Sequence, residues 1–241
     1  MGAACTHWRP GGSDSRCLRY IVSPAGTRYT LERQAGLAGF KPGKNMPNDI
    51  LWIIFAFLCG SLPLSYWVGR LFLHVDIREY GDGNPGGTNV WKAGGAWWGM
   101  LAIISDGMKG LVPVALAYYQ GNVSGYMLVF VSLAPILGHV YTPFLNFQGG
   151  KALATSFGVW TALTVYEAPV VLGLSLAIWS WLIRTDGWVI LAGMLTLLVY
   201  LLVCHPDPVL ISVWVGNCII LVWRYRDSLR KKPAVRFWRS T

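Results

Sequence analysis

Charge is scarce in this sequence. Asp, Glu, Lys and Arg make up 13% of the 241 residues, against about 25% in soluble domains. An ordinary water-soluble globule is thereby disfavoured. Acidic side chains are rarer still, eleven against twenty Lys and Arg. The five cysteines include no CxxC pair, so neither a disulfide framework nor a zinc site is expected. Cys59, Cys204 and Cys218 lie in apolar runs and read as small hydrophobes. The early basic residues are not followed by an apolar core, so residues 1–45 are not expected to form a secretory signal peptide. There is no GxxxxGK[ST] loop, and no convincing internal repeat of the kind that marks many transporters. No basic stripe interleaves with aromatics on a folded module, which argues against a nucleic-acid partner.

Apolar and aromatic side chains fill the space that charge leaves. Hydrophobic residues make up 54% of the chain, with thirteen Trp and eleven Tyr, and mean hydropathy is +0.45. Disordered chains are poor in apolar residues, so disorder of the whole is excluded. Trp and Tyr in such numbers suit the two belts of a membrane interface. Seven of the twenty Lys and Arg precede Met46, seven more fall from Arg224 to Arg239, and six serve the 178 residues between. Basic ends of this kind suit an anionic membrane surface.

Crossing the hydrocarbon core takes about 20 mostly apolar residues. From Met46 onward seven such runs are expected, roughly 50–73, 97–119, 123–142, 150–166, 168–184, 187–204 and 207–224. Inside lipid the backbone satisfies itself as helix. The expected fold is all-α, a polytopic membrane protein with a compact bundle of about seven transmembrane helices. Ser61, Ser65 and Gly69, and likewise Ala154, Gly158 and Ala162, recur at a spacing of four, which permits close helix approach. Arg78, Lys92, Lys151, Arg184 and the C-terminal tail fall in alternate loops, while the loops near Gln120, Glu167 and His205 carry no Lys or Arg. The positive-inside rule makes the first set and the C-terminus cytoplasmic. Met46 then lies outside. Residues 1–45 are polar, without helical or strand period, and their basic residues oppose that orientation. They are expected to be a disordered or mis-assigned extension. Residues 46–224 form the membrane domain and 225–241 a basic cytoplasmic tail.

Two of the cytoplasmic loops have unusual composition. Asp76 to Gly95 contains six glycines among Asn84, Thr88, Asn89 and Lys92. Glycine lets backbone N–H groups approach a ligand, and successive inward N–H groups make an anion nest. Gly83, Asn84, Gly86, Thr88, Asn89 and Lys92 are therefore candidate phosphate ligands, with a flexible connector as the alternative. The second loop, Gly138 to Thr155, places Gly149-Gly150-Lys151 where a helix is expected to open. A helix N-terminus favours an anion, and Lys151 would add a full charge. The alternative for Lys151 is an interfacial lysine that snorkels to water. His139 reads as a base, a phosphate ligand or an ordinary interfacial histidine. Asp106 and Lys109 share a helix face within an apolar run. They are either a structural ion pair or a substrate-facing charge.

On these segments the chain resembles the bacterial membrane acyl-phosphate:glycerol-3-phosphate acyltransferases. The matching pieces are Gly60-Ser-Leu-Pro63, Asp76-Ile-Arg78, Gly83-Asn84 with Gly86 and Thr88-Asn89-Val90, and Asp106 with Lys109-Gly110. Further on, Gly138-His139, Pro143-Phe144, Phe147, Gly149-Gly150-Lys151 and Ala154-Thr155-Ser156 match as well. The resemblance covers about residues 50–232. It implies a seven-helix fold with a cytoplasmic C-terminus, in the bacterial inner membrane, with the active site facing the cytoplasm. It also implies transfer of a fatty acyl group from acyl phosphate to the 1-hydroxyl of glycerol 3-phosphate, giving lysophosphatidic acid. The implied partners are these two substrates, membrane lipids and the soluble enzyme that makes acyl phosphate; no cofactor and no metal are implied. The family usually has Ser where this chain has Asp82, Arg at Lys92, serines after Arg184, and His and Asn where Tyr225 and Ser228 stand. Asp82 and His139 are the candidates for orienting the hydroxyl, with Lys109 and Lys151 among the phosphate ligands. A non-catalytic membrane protein that binds a phosphorylated lipid precursor is the alternative.

Overall fold

The structure is a computed structural model that describes residues 20–22, 28–30 and 46–235. The expectation for residues 1–45 lies outside the described residues, apart from one antiparallel pair, β1 (Tyr20–Val22) with β2 (Arg28–Thr30), in which Tyr20 faces Thr30. The end of the basic tail, residues 236–241, also lies outside them.

Residues 46–235 are built from helices. α1 (Met46–Ser61) and α2 (Leu64–Val68) are one apolar span interrupted at Pro63, which has no N–H to continue the ladder. α2 runs on as a wider turn, Gly69–Leu73, and stops at His74, whose φ of 55° is left-handed. α3 (Gly87–Ala115), extended by Leu116–Gln120, follows. Then come α4 (Gly125–Val140), α5 (Leu153–Thr164), α6 (Glu167–Leu182), α7 (Asp186–Cys204), α8 (Pro208–Arg224) and the short α9 (Arg226–Leu229). The spans Asn48–Leu73, Gly87–Gln120, Gly125–Leu145 and Asp186–Cys204 are long and apolar enough to cross a membrane. α6 and α8 are shorter apolar helices.

The burial pattern is that of a bundle in lipid. Ser61, Ser65, Asn89, Asp106, Lys109, His139, Thr155, Ser156 and Asn217 are buried, while Leu51, Leu71, Trp97, Val203 and Ile219 are exposed. Polar side chains placed inside must find partners. Trp160 Nε1 donates to Asn217 Oδ1 at 3.1 Å, Asn217 Nδ2 to Ser156 Oγ at 2.8 Å, and Ser156 Oγ to the Ala152 carbonyl at 2.9 Å. That relay ties α8 through α5 to the backbone just ahead of α5. Small residues set the closest crossings. Gly60 lies against the backbone of Pro135 between α1 and α4, and Gly158 against the Gly107 carbonyl between α3 and α5; neither leaves room for a Cβ. Beside the second crossing a groove of about 360 Å³ opens between α3 and α5, with an almost wholly apolar lining that includes Gly107, Met108, Ala154 and Phe157.

Three details differ from the expected elements. First, the glycine-rich segment 76–95 is not all loop: its second half, from Gly87, is already helix, and Gly95 (φ 82°, ψ −175°) breaks α3 into a surface piece and a spanning piece. Second, α5 begins at Leu153, not at Gly149–Lys151, because Ala152 is left-handed at φ 61° and turns the chain before the ladder starts. Third, α5 has 12 residues, about 18 Å at ~1.5 Å per residue, short of the ~30 Å hydrocarbon core. In the small-residue stripe expected on this helix, Gly158 and Ala162 are buried while Ala154 is only half-buried and lines the groove.

Candidate active site

The loop after α2 is anchored before it is shaped. Asp76 accepts from Arg78 Nη2 at 2.7 Å, from Arg70 Nη2 at 2.9 Å and from the Arg78 backbone N–H at 3.0 Å. The hydrogen bond from Arg78 chiefly, helped by both guanidinium charges, pulls its carboxyl down to about 2. Both guanidiniums also rest on the Tyr66 ring, at 5.5 and 5.0 Å. Val68, Ile77, Val90 and Ala102 then pack into a small core that holds the loop against α2 and α3. Gly81 (φ 61°) and Gly83 (φ 73°) take the left-handed turns that bring the chain round to Gly86, which precedes the first helical residue of α3.

Asp82 lies between these glycines and is the hub of the site. Its Oδ1 accepts from the Asn84 backbone N–H at 3.2 Å and from Asn89 Nδ2 at 3.0 Å. Its Oδ2 lies 2.7 Å from Lys151 Nζ. Burial opposes ionisation of Asp82, but the bond and charge of Lys151 with the donors of Asn84 and Asn89 outweigh it, so the carboxyl is held below its ordinary range. Asn89 Nδ2 also donates to the Asn84 carbonyl at 2.9 Å. The two glycine-rich segments thus converge, and Asn84, Asn89, Asp82 and Lys151 form one cluster. Gly81 is so close to Asn89 Oδ1 and to Lys92 Nζ that a side chain there would displace both. Thr88 and Lys92 are exposed beside this turn.

The second segment is built from the end of α4. Gly149 N–H donates to the Val140 carbonyl at 3.0 Å and Gly150 N–H to the His139 carbonyl at 3.1 Å. These two N–H groups therefore bond back to α4. The His139 ring packs directly over Gly150, where any Cβ would collide with its Nε2. Its Nδ1 is 4.0 Å from Asp106 Oδ1. His139 is 6% exposed, so it supports the loop from behind. Lys151 reaches forward, with its ammonium 4.8 Å from the Tyr225 ring centroid.

Lys109 is placed elsewhere. It is 6% exposed. Its ammonium donates to the Leu62 carbonyl at 2.7 Å, at the break between α1 and α2, and lies 3.0 Å from Asp106 Oδ1. Ser65 Oγ donates to Asp106 Oδ2 at 2.5 Å. This pair holds α3 against the broken first span, beneath the loop cluster.

Two neighbours of the cluster were not among the expected ligands. Arg224 Nη2 donates to the Gly149 carbonyl at 2.7 Å and so fixes the second segment to the end of α8. In the sequence Arg224 is one more basic residue at the end of an apolar run, with nothing to single it out. Tyr225 is 7% exposed. Its burial first, then the nearby carboxylates of Asp186 and Asp82, push its phenol above the ordinary range. The tail beyond it folds back. Ser228 Oγ accepts from the Gly187 N–H at 2.9 Å and the Lys231 carbonyl from Trp188 Nε1 at 2.8 Å. The start of α7 and the first part of the tail thus lie at the same end of the bundle as the two loops. Among the described residues no group of three or more His, Cys, Asp or Glu could hold a metal ion.

This arrangement offers fixed donors to anionic oxygens beside an apolar bundle, and the chain that carries it is similar in sequence and fold to known proteins. Glycerol-3-phosphate acyltransferase 1 of Thermotoga maritima is 36% identical over 193 residues, covering 74% of this chain and 95% of its own. The glycerol-3-phosphate acyltransferase of Desulfovibrio desulfuricans is 37% identical over 190 residues, 75% of this chain and 80% of its own. Among solved structures, PlsY (YgiH), an integral membrane glycerol 3-phosphate acyltransferase, matches in its glycerol 3-phosphate form with a TM-score of 0.69 at 28% identity, over 76% of this chain and 90% of that one. Its lysophosphatidic acid form matches with a TM-score of 0.67 at 26% identity. The family profile described as glycerol-3-phosphate acyltransferase matches residues 50–232, and this chain, a polytopic membrane protein, belongs to that family of acyltransferases.

Proposed function

We propose that the protein moves a fatty acyl group from acyl phosphate to the 1-hydroxyl of glycerol 3-phosphate, giving lysophosphatidic acid and inorganic phosphate. The observation that carries this reading is the meeting of Asp82, Asn84, Asn89 and Lys151 at 2.7–3.2 Å across two loops. Acyl phosphate arrives activated. The protein has to hold two phosphates and one hydroxyl in register, and positioning with electrostatic stabilisation supplies the rate. No covalent Ser or Cys intermediate is needed. Gly83, Asn84, Gly86, Thr88, Asn89 and Lys92 hold one phosphate, with the first turn of α3 adding its dipole and N–H groups. Lys151 holds the other; Gly149 and Gly150 give its loop the close approach to α4, and His139 backs that loop. Lys109 acts from beneath, by fixing the span break under the site. Asp82 orients the hydroxyl and takes its proton as the ester C–O bond forms and the acyl–phosphate C–O bond breaks. The acyl chain lies in the apolar groove between α3 and α5, whose Ala154 is three residues along the chain from Lys151.

In this reading the protein sits in a bacterial inner membrane with seven membrane segments. Its two glycine-rich loops, tail and active site face the cytoplasm, where the soluble enzyme that makes acyl phosphate delivers the donor. The test is an assay of full-length protein in vesicles with acyl phosphate and glycerol 3-phosphate. One lysophosphatidic acid is expected per acyl phosphate consumed. Bound glycerol 3-phosphate without any product would leave a binding protein instead, an outcome that the engagement of Lys151 by Asp82 makes worth testing.

A further inference from the structure

Two side chains act on one ammonium. Asp82 Oδ2 is 2.7 Å from Lys151 Nζ, and the Tyr225 ring centroid is 4.8 Å from the same nitrogen. The other carboxylate oxygen takes the Asn84 N–H and Asn89 Nδ2. Asp82 thus spans the donors of the two proposed phosphate seats, Asn84 and Asn89 on one oxygen and Lys151 on the other, and the ammonium it holds is the charge-assisted donor that a phosphate requires. Asp82 and Tyr225 are two positions at which this chain departs from the residues usual in its resemblance. They lie far apart in sequence and meet at Lys151.

We infer that Asp82 is a built-in anion occupying the phosphate seat at Lys151, and that Tyr225 is the platform that keeps the ammonium in place while a substrate phosphate displaces the carboxylate. The two residues together set the affinity of the site for phosphate. Exposure separates their roles. The Asp82 side chain is 47% exposed and can swing into water, whereas Tyr225 is 7% exposed and fixed in the core. A phosphate carries roughly 1.5 to 2 negative charges and three strong acceptor oxygens against one charge and two oxygens for a carboxylate, so it wins the exchange. The ring face attracts the cation without consuming any of its three N–H donors, which stay free for phosphate. Asp82 therefore lowers the apparent affinity for phosphate and raises selectivity against weaker monoanions. Two anions do not share the seat.

This inference rests on the reading that Lys151 holds a substrate phosphate. It is tested with full-length protein in detergent micelles, by the KM for glycerol 3-phosphate, by inhibition with inorganic phosphate, and by the rise in unfolding midpoint that inorganic phosphate causes. Asp82→Asn and Asp82→Ser are expected to lower the KM and to tighten inorganic phosphate about three- to fivefold, the size of a partly exposed ion pair, whatever they do to kcat. Tyr225→Phe keeps the ring and is expected to keep the wild-type affinity for inorganic phosphate; Tyr225→Leu weakens phosphate by a similar factor with and without Asp82. Unchanged or weaker phosphate binding in both Asp82 variants overturns the inference while leaving acyl transfer standing. Absence of turnover in the wild type and in every variant, with phosphate still stabilising Asp82→Asn more than wild type, overturns acyl transfer while leaving the inference standing.

Discussion

Among the described residues two Asp–Lys pairs have similar contact distances and different surroundings. Asp106 and Lys109 stand 3.0 Å apart with side chains 3% and 4% exposed. Asp82 and Lys151 stand 2.7 Å apart with side chains 47% and 28% exposed. The first pair is sealed by Ser65 and by the Leu62 carbonyl. The second is open to a ligand and to water. Chemistry alone does not separate a structural charge from a working one; desolvation and the count of remaining donors do. A sealed pair cannot exchange partners without leaving a bare charge in lipid surroundings, and an open pair can.

The largest effect that would break this contrast lies in the sealed pair. Asp106→Asn leaves the Lys109 ammonium buried without its counter-charge, which costs about 3–5 kcal/mol. The unfolding midpoint in micelles should fall steeply and expression with it. The double change Asp106→Leu with Lys109→Met should be milder than either single change, because it removes the unpaired charge along with the pair. If Asp106→Asn unfolds at the wild-type midpoint, the pair is not what holds α3 against the broken first span.

Next comes Lys151→Met, in which the effect should appear in rate and leave stability nearly intact. Loss of one charge aimed at an anion is worth about a hundredfold in kcat/KM. An ion pair this exposed contributes at most about 1 kcal/mol to folding. A midpoint shift as large as that of Asp106→Asn, with activity retained, would erase the distinction between the two pairs.

A smaller effect sharpens the comparison through pH. Asp76 titrates at about 2 when folded, and Asp82 is also held below its ordinary range. A carboxyl depressed by folding contributes stability that is fully present above its unfolded value, ~3.9, and that is lost as pH falls through the folded value. Neither loop should loosen between pH 7 and pH 5. Hydrogen exchange of residues 76–92 should be flat across that window once its intrinsic pH dependence is removed, and protection should decline below about pH 4. Loosening centred near pH 6 would mean that neither carboxylate network controls the loop.

The contrast also shows what sequence can and cannot disclose. The helices were legible because lipid demands long apolar runs, although among the described residues four of the seven expected runs are long and apolar enough to cross; the two converging loops were legible because glycines and a lysine in a polar loop are unusual in such a chain. The pairing of Asp82 with Lys151 was not legible, since it depends on how α3 and α4 bring two distant loops together. Nor was the partner of Lys109: the Leu62 carbonyl matters only because Pro63 interrupts the first span, a consequence of backbone geometry. The start of α5 was misplaced for a similar reason. Gly149-Gly150-Lys151 has the composition of a helix opening, but bonds from Gly149 and Gly150 to the end of α4 and a left-handed Ala152 delay the helix. Tyr225 was visible as a departure from a pattern, but its ring could be assigned to Lys151 only in three dimensions.

The smallest expected effect concerns the opposite end of the bundle. There Glu167, at the start of α6, accepts from Tyr200 at 2.9 Å and meets His205 at 2.5 Å, with side chains of Glu167 and His205 31% and 37% exposed. This third pairing is as open as Asp82–Lys151, so exposure by itself would predict a second working site. Placement predicts otherwise: α5 carries the chain away from Lys151 before Glu167 opens α6, and α7 leads away from Asp186 before His205 ends it. Glu167→Gln keeps a carbonyl for the Tyr200 hydroxyl and removes the charge facing His205. The expected result is an unfolding midpoint lowered by the equivalent of about 1 kcal/mol or less, with kcat and KM for glycerol 3-phosphate unchanged. A change in KM comparable to that of Asp82→Asn would show that the two ends communicate through α6 and α7, and that openness together with placement is too simple a rule for telling a working charge from a structural one.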